Sequence, residues 1–211
     1  MMTEMIPISH LSPVHKLNDF YPWDRPLTDQ QMIEIFLARI EGYQLAPAET
    51  LLSPAIHHAG FAALHILMSY FEGIEQYKQG KRSNSAPSGF FWRAFQEVFR
   101  DEIEELKGKE LGKSFGNDLY HNLRCGLYHD GSTRQNIRIH GDYPSAFSVN
   151  DYGLVEINPH LFPNKIRRHL YEYVNELRRP DYDQLQKFKA MFELAFQGKL
   201  PDGLLKKETG L

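Results

Sequence analysis

Apolar residues recur at helical spacing through most of the chain. A first helix is expected over residues 28–44, because Thr28 and Gln31 form a capping box and apolar residues follow at intervals of three and four. Similar stripes, bounded by capping residues, proline or glycine, predict five further helices. These are residues 53–79, 88–108 and 113–129, a helix that begins at Asn158-Pro159 and ends at Pro180, and a last helix that begins at residues 181–184.

The period changes to two between residues 135 and 158. Single polar residues are flanked by apolar ones in three short segments, 137–139, 147–149 and 155–157, and glycine-containing turns separate these segments. This alternation predicts a small three-stranded β-meander. The predicted fold class is therefore all-α, a bundle of about six helices with a β-meander insertion at about 135–158.

The ends of the chain lack a regular period. Four prolines punctuate residues 1–27, which are expected to form an extended N-terminal arm. Residues 199–211 are expected to be a loose C-terminal tail. Because no internal repeat or low-complexity tract divides the chain, we predict a single domain over residues 1–211.

Composition and charge narrow the function classes. A net charge of −3 argues against a protein that coats nucleic acid by bulk charge, although a local basic cleft remains compatible with it. The single cysteine, Cys125, excludes an internal disulfide and the common cysteine-based zinc sites. The most apolar stretch is too short for a membrane span, and the first ten residues do not resemble a secretory signal. A cytoplasmic protein is expected.

The predicted helix at 113–129 has an unusual polar face. At about 100° per residue its polar and apolar side chains separate into two arcs. Past Lys113 the polar arc lacks the Lys and Glu of an ordinary solvated face, and it holds Asn117, Asp118, His121, Asn122, Arg124, Cys125, Tyr128 and His129. Such a face is typical of an interface or a functional site, and plain surface is the alternative.

Arg124 and His129 also have a purely structural explanation. His129 near a helix C-terminus can complement the helix dipole, and Arg124 can pair with Glu72 or Asp118. The two residues are five apart, which places them roughly 140° apart on a regular α-helix. A joint role on one phosphate group therefore requires the reach of the arginine and a distorted last turn.

Residues 120–131, with the sequence YHNLRCGLYHDG, resemble the signature of the HEPN superfamily. That family consists of small α-helical bundles, usually dimeric, many of which are metal-independent ribonucleases. Its motif is an arginine followed, after four to six residues, by a histidine late in a helix, as Arg124 and His129 are here. An acidic residue of an earlier helix often supports the arginine, and Glu72 or Glu75 would take that place.

The resemblance implies a metal-independent endoribonuclease with Arg124 and His129 as catalytic residues. His129 would take the proton of a ribose 2′-hydroxyl, and Arg124 would stabilise the charge on the phosphoryl oxygens, which gives a 2′,3′-cyclic phosphate. Supporting roles would fall to Glu72, His121, Asn122 and Tyr128. The implied partners are RNA, a second copy of the chain bound through this helix, and an antitoxin or nucleotidyltransferase, as in toxin or defence systems. We expect no metal and no cofactor.

Two features keep other functions open. Cys125 stands where the family usually has Asn, Asp or His, which favours a catalytically inactive HEPN-like module that binds nucleotide or RNA or forms a dimer. The motif spacing also fits Arg134 and His140, but these lie on a predicted strand, where the family does not place them. His58 and His65 share a helix face without an acidic partner at ligand spacing, so we predict no metal site there.

Overall fold

The computed structural model describes residues 9–106, 115–179 and 183–205, and these residues are mostly helical with one small sheet. The α-helices are Asp29–Ile40 (α1), Ala46–Leu51 (α2), Gly60–Gln79 (α3), Pro87–Val98 (α4), Arg100–Glu105 (α5), Phe115–Leu119 (α6), Phe162–Leu177 (α7) and Gln184–Phe196 (α8). A π-helical segment follows α6 at Tyr120–Asp130, and the strands are Ile137–Ile139 (β1), Phe147–Val149 (β2) and Val155–Ile157 (β3). The prediction of a mainly helical fold with a three-stranded insertion is confirmed. None of the described helices combines the length and the apolar character that crossing a membrane requires.

The chain divides into two compact units. The first unit falls within residues 1–43, 76–82 and 173–211, and the second within residues 44–75 and 83–172. The prediction of one domain over residues 1–211 stays a prediction.

The first unit has its core around Phe36 of α1. The Phe36 ring contacts the rings of Tyr77, at 4.5 Å between centroids, and Phe188, at 5.4 Å. The predicted capping box starts α1, since the Thr28 side chain accepts from the Gln31 main-chain nitrogen and the Gln31 side chain accepts from the Thr28 nitrogen.

The terminal segments of the first unit take part in its packing. Within the segment predicted to be an extended arm, Leu11, Leu17 and Leu27 are buried, and a short 3₁₀ helix forms at Leu17–Phe20. The main-chain nitrogen of Leu27 donates to the carbonyl of Leu204, which is itself buried although it lies in the predicted loose tail. Burial of leucines at both ends holds these segments in place.

Several predicted helix boundaries are wrong. Pro47 was expected to end the first helix, but it lies in the first turn of α2, which directly follows a π-helical segment at Glu41–Leu45. The helix expected from Ser53 begins only at Gly60, because the backbone before it turns and His58 has a left-handed φ of 61°. The helix expected over 88–108 breaks at Phe99, whose φ of −108° and ψ of 38° separate α4 from α5.

The second unit is built on an aromatic core. Its central ring is Phe71 of α3, which lies 5.2 Å from Phe95 and 5.4 Å from Phe91. The fully buried phenylalanines of this core come from α3, α4, the α4–α5 break, β2 and α7, and they are Phe71, Phe91, Phe95, Phe99, Phe147 and Phe162. Burial of each ring stabilises the fold by roughly 1.5–3 kcal/mol.

The small sheet has a different topology from the predicted meander. Its strand order is β1-β3-β2, with β1 parallel to β3 and β2 antiparallel to β3, whereas a meander would run β1-β2-β3 with antiparallel neighbours only. The connection from β1 to β2 is held by Asn158, whose side-chain amide donates to the carbonyls of Gly141 and Tyr143. These two bonds hold the connection as a loop instead of a tight hairpin turn.

Alanine substitutions at two glycines can test the helix packing of the second unit. A Cβ at Gly116 of α6 would come within 2.5 Å of the Trp92 ring on α4, whereas a Cβ at Gly73 of α3 would meet nothing within 4 Å. Gly116→Ala is therefore expected to lower the free energy of unfolding by about 1–3 kcal/mol through overpacking. Gly73→Ala should raise it by roughly 0.5–1 kcal/mol, because alanine favours the helix. Urea unfolding measures the free energy of unfolding of both variants. Equal changes in the two variants would contradict the close packing at Gly116.

Candidate functional site

The residues of the HEPN-like signature lie in a helix that changes type. We call residues 115–130 the motif helix, in which α6 gives way at Tyr120 to π-helical backbone that continues to Asp130. The helix ends at Gly131, which has a left-handed φ of 64°, as its predicted C-cap role requires. The predicted start of this helix at residue 113 lies outside the described residues.

The π-helical geometry changes which side chains face the same way. In a π-helix the main-chain hydrogen bonds run between residues five apart, and π-helical turns occur frequently at functional sites. Arg124 and His129 are five apart, so they stand in this hydrogen-bonding register. The wider turn narrows the angle between them from the roughly 140° of a regular α-helix. The distorted last turn that a shared site requires is therefore a property of the whole segment Tyr120–Asp130.

A returning segment packs closely on the motif helix. The main-chain nitrogen of Arg134 donates to the carbonyl of Asn122 at 2.9 Å. A Cβ at Gly126 would lie 2.7 Å from the carbonyl oxygen of Ser132, so only glycine allows this approach. The Arg134 side chain pairs with Asp130 at 2.6 Å, and this hydrogen bond holds the pKa of Asp130 below its usual value.

Arg124 is held by Glu72 of α3. Nη2 of Arg124 donates to Oε2 of Glu72 at 3.4 Å, and the hydroxyl of Ser83 donates to Oε1 at 2.5 Å. The side chains of Glu72 and Arg124 are 17% and 25% exposed, so the pair is shielded but reachable from solvent. Of the two acidic candidates, Glu75 instead pairs with Arg93 at 2.6 Å. Glu72 is thus the residue in position to orient the guanidinium.

Two tyrosines flank the guanidinium of Arg124. Its Cζ lies 5.0 Å from the ring centroid of Tyr128 and 5.7 Å from that of Tyr120, within the range of cation–π attraction. Burial raises the pKa of Tyr120 to about 12, against the lowering influence of Arg124, so this phenol stays neutral. Tyr128 is 61% exposed and offers a ring face next to a fixed positive charge.

The other predicted residues of the motif helix have different surroundings. His129 is exposed at the helix end, and its ring meets the Tyr128 ring edge-on at 5.0 Å. His121 is exposed and lies edge-on to Tyr120 at 5.3 Å, while Asn122 contributes its main-chain carbonyl to the bond from Arg134. The contacts of His121 and Asn122 involve neither Glu72 nor the guanidinium of Arg124. The structure thus brings together Glu72, Arg124 and Tyr128, and His129 contacts this group through its chain neighbour Tyr128.

His65 joins this group, although the sequence did not suggest it. Its Nδ1 lies 3.1 Å from the carbonyl oxygen of Leu127. Since a carbonyl only accepts, Nδ1 carries the hydrogen in this bond, and Nε2 is the ring nitrogen left for other partners. The His65 ring lies 5.6 Å from the Tyr128 ring. A signal did exist, because His65, Ser69 and Glu72 follow helical spacing on one face of α3.

A small cavity borders His65, Arg124 and Tyr128, whereas Glu72 and His129 are not among its described lining residues. It has a volume of about 160 Å³ and is lined by His65, Ser69, Arg124 and Tyr128 together with three apolar residues, Ile66, Met68 and Leu127. A guanidinium, an imidazole and a hydroxyl thus border one concave space. Such groups can bind a phosphoryl oxygen and move a proton.

In the part of the chain that the structure describes, no group of three or more His, Cys, Asp or Glu side chains is placed to hold a metal ion. Comparisons with protein-family models, with curated proteins and with solved structures find no match. The function is therefore argued from the site itself.

The free energy of unfolding can test the pairing of Glu72 with Arg124. Glu72→Ala leaves Arg124 and Ser83 without their shared partner, and we expect the free energy of unfolding to fall by about 1–3 kcal/mol, the cost of losing hydrogen bonds to a charged group. The matched control is Glu105→Ala, which removes an exposed glutamate of α5 and should change it by less than about 0.5 kcal/mol. Urea unfolding compares the two variants, and equal losses would argue against the pair.

Proposed function

We propose that the protein is a metal-independent endoribonuclease of the HEPN type, with its active site on the motif helix. The observation that carries this proposal is the position of Arg124, oriented by Glu72 and in π-helical register with the exposed His129. Such a pair supplies what attack by a ribose 2′-hydroxyl needs, a proton acceptor and a fixed cation for the charge that develops on the phosphoryl oxygens.

The proposed reaction uses one histidine as the general base and a second histidine as the general acid. A neutral His129 removes the 2′-hydroxyl proton, the 2′-oxygen attacks the adjacent phosphorus, and Arg124 stabilises the phosphoryl oxygens. The bond from phosphorus to the 5′-oxygen breaks, and a cationic His65 protonates the departing oxygen. The products are a 2′,3′-cyclic phosphate and a 5′-hydroxyl. His65 suits this role because it and His129 both contact the Tyr128 ring.

The exposed Tyr128 ring supports RNA as the substrate class. Single-stranded RNA is recognised largely by stacking of splayed bases on aromatic side chains, and a neighbouring arginine strengthens such sites. DNA can bind in the same way but lacks the 2′-hydroxyl that attacks. As part of this proposal, a second copy of the chain pairs through the motif helix, and an antitoxin or nucleotidyltransferase is its partner.

The exposed ring of Tyr128 also favours a second candidate function. If Cys125 replaces a side chain that catalysis needs, Tyr128 and Arg124 still form a stacking and phosphate-binding surface. The protein would then be a catalytically inactive HEPN-like module that binds RNA or nucleotide.

RNA cleavage tests the proposal directly. Wild-type protein with EDTA should cleave single-stranded RNA and spare DNA, while Arg124→Ala and His129→Ala should each lose at least roughly 10²-fold in rate. His140→Ala, which removes a 63% exposed histidine outside the motif helix, is the matched control and should retain activity.

Each other outcome has a definite meaning. Cleavage that persists in both Arg124→Ala and His129→Ala would place the activity elsewhere and overturn the assignment. RNA binding without cleavage, weakened by Tyr128→Ala, would favour the inactive binding module.

The role of His65 predicts a pH profile. Activity should fall at low pH, where the general base is protonated, and at high pH, where the general acid has lost its proton. His65→Ala should lower the maximum rate by roughly 10²-fold and remove the fall at high pH while keeping the fall at low pH. Initial rates across pH measure both limbs, and an unchanged profile would exclude His65 as the acid.

A further inference from the structure

A second cavity, of about 300 Å³, lies within the first unit and is bordered by three cationic side chains. Arg39 of α1, Arg82 and Lys199 border it, together with His10 and the hydroxyl-bearing Tyr77 of α3. Among its described lining residues none is acidic. Three cations around one concavity repel each other, so an occupant of negative charge would stabilise the arrangement.

The cations are fixed by neutral acceptors. Arg39 donates through Nη1 to the carbonyl of Leu11 at 2.7 Å, and Arg82 donates through Nη2 to the carbonyl of Leu194 at 2.8 Å. Lys199 donates through Nζ to the carbonyl of Ala195 at 2.9 Å. Main-chain carbonyls orient these groups without cancelling their full charge, which leaves their remaining N–H donors for an anion.

The Arg39 guanidinium is oriented further by aromatic contacts. Its Cζ lies 5.2 Å from the ring centroid of Phe196 and 5.5 Å from that of Tyr43. A guanidinium held on two rings loses less rotamer freedom when it binds a ligand. The site is thus pre-organised on this side.

Tyr77 adds a neutral donor. Its ring is fixed by Phe36 at 4.5 Å and Phe188 at 5.5 Å, and the residue lines the cavity. Burial raises the pKa of Tyr77 to about 12, although Arg39 and Arg82 act to lower it, so the hydroxyl keeps its proton. A protonated hydroxyl at this position can donate to a ligand in the cavity.

We propose that this cavity binds the phosphate group of a small phosphate monoester, with Arg39, Arg82, Lys199 and Tyr77 as the donors. A phosphate dianion has enough acceptor oxygens for these donors, and arginine matches its geometry. A cavity of this size lies at the lower end of small-ligand pockets, about 300–1,000 Å³, which fits a small molecule rather than a polymer. This site is independent of the ribonuclease proposal.

Calorimetric titration in buffer free of phosphate and sulfate tests the site, with inorganic phosphate, AMP and adenosine as probes. AMP should bind and adenosine should not, because the cavity recognises the phosphate group. Binding of inorganic phosphate as tight as that of AMP would identify the free ion as sufficient, whereas weaker binding would show that the esterified group adds contacts. Both results support the site.

Variants decide whether the named donors are responsible. Tyr77→Phe, Arg82→Gln and Lys199→Gln should each weaken AMP binding by about tenfold or more, the effect of losing one hydrogen bond to a charged group. Lys81→Gln is the matched control, since it removes an exposed cation next to Arg82 that does not line the cavity, and it should leave binding unchanged.

The unliganded melting temperature of each variant checks that it is folded, and Tyr77→Phe removes only the hydroxyl. Absence of AMP binding to folded wild-type protein would overturn the proposal. So would equal binding of adenosine and AMP, or an equal loss in Lys81→Gln and Arg82→Gln.

Discussion

The contact between Glu72 and Arg124 is the constraint on which the candidate active site depends. An arginine side chain has about 2 kcal/mol of rotamer entropy to lose, and a free guanidinium on a helix surface would sample many positions. Glu72, itself bound by Ser83, restricts that freedom and directs the guanidinium toward the cavity beside His65 and Tyr128. At partial exposure such a pair contributes modestly to stability, so its main consequence is orientation.

The packing of the second unit sets the position of this contact. The buried Phe71 fixes α3 one position before Glu72, and the close approach of Gly116 to Trp92 fixes α6 against α4. The returning chain at Ser132 then lies against Gly126, which requires a residue without a Cβ. The polar face of the motif helix is thus carried by an apolar core that leaves little room for adjustment.

Sequence reasoning predicted the helical class, the capping box at Thr28 and the helix end at Gly131, because each rests on local backbone chemistry. It missed the start of α3 and the break at Phe99, where the tertiary environment overrides the apolar period. It also assumed a regular α-helix, whereas the backbone of Tyr120–Asp130 is π-helical. The β1-β3-β2 order depends on the side-chain bonds of Asn158, which no pattern of alternation reveals. His65 was considered only as a metal ligand, since its bond to Leu127 joins residues 62 positions apart.

Attack by the 2′-hydroxyl of RNA is the chemical step that distinguishes the proposed function. The most direct measurement is mass spectrometry of the fragments from an RNA oligonucleotide and from the same oligonucleotide with one 2′-deoxynucleotide at the mapped cleavage position. The account predicts 2′,3′-cyclic phosphate and 5′-hydroxyl ends from the first substrate, and no cut at the substituted position of the second. Cleavage at the 2′-deoxynucleotide, or fragments with 5′-phosphate ends, would contradict it.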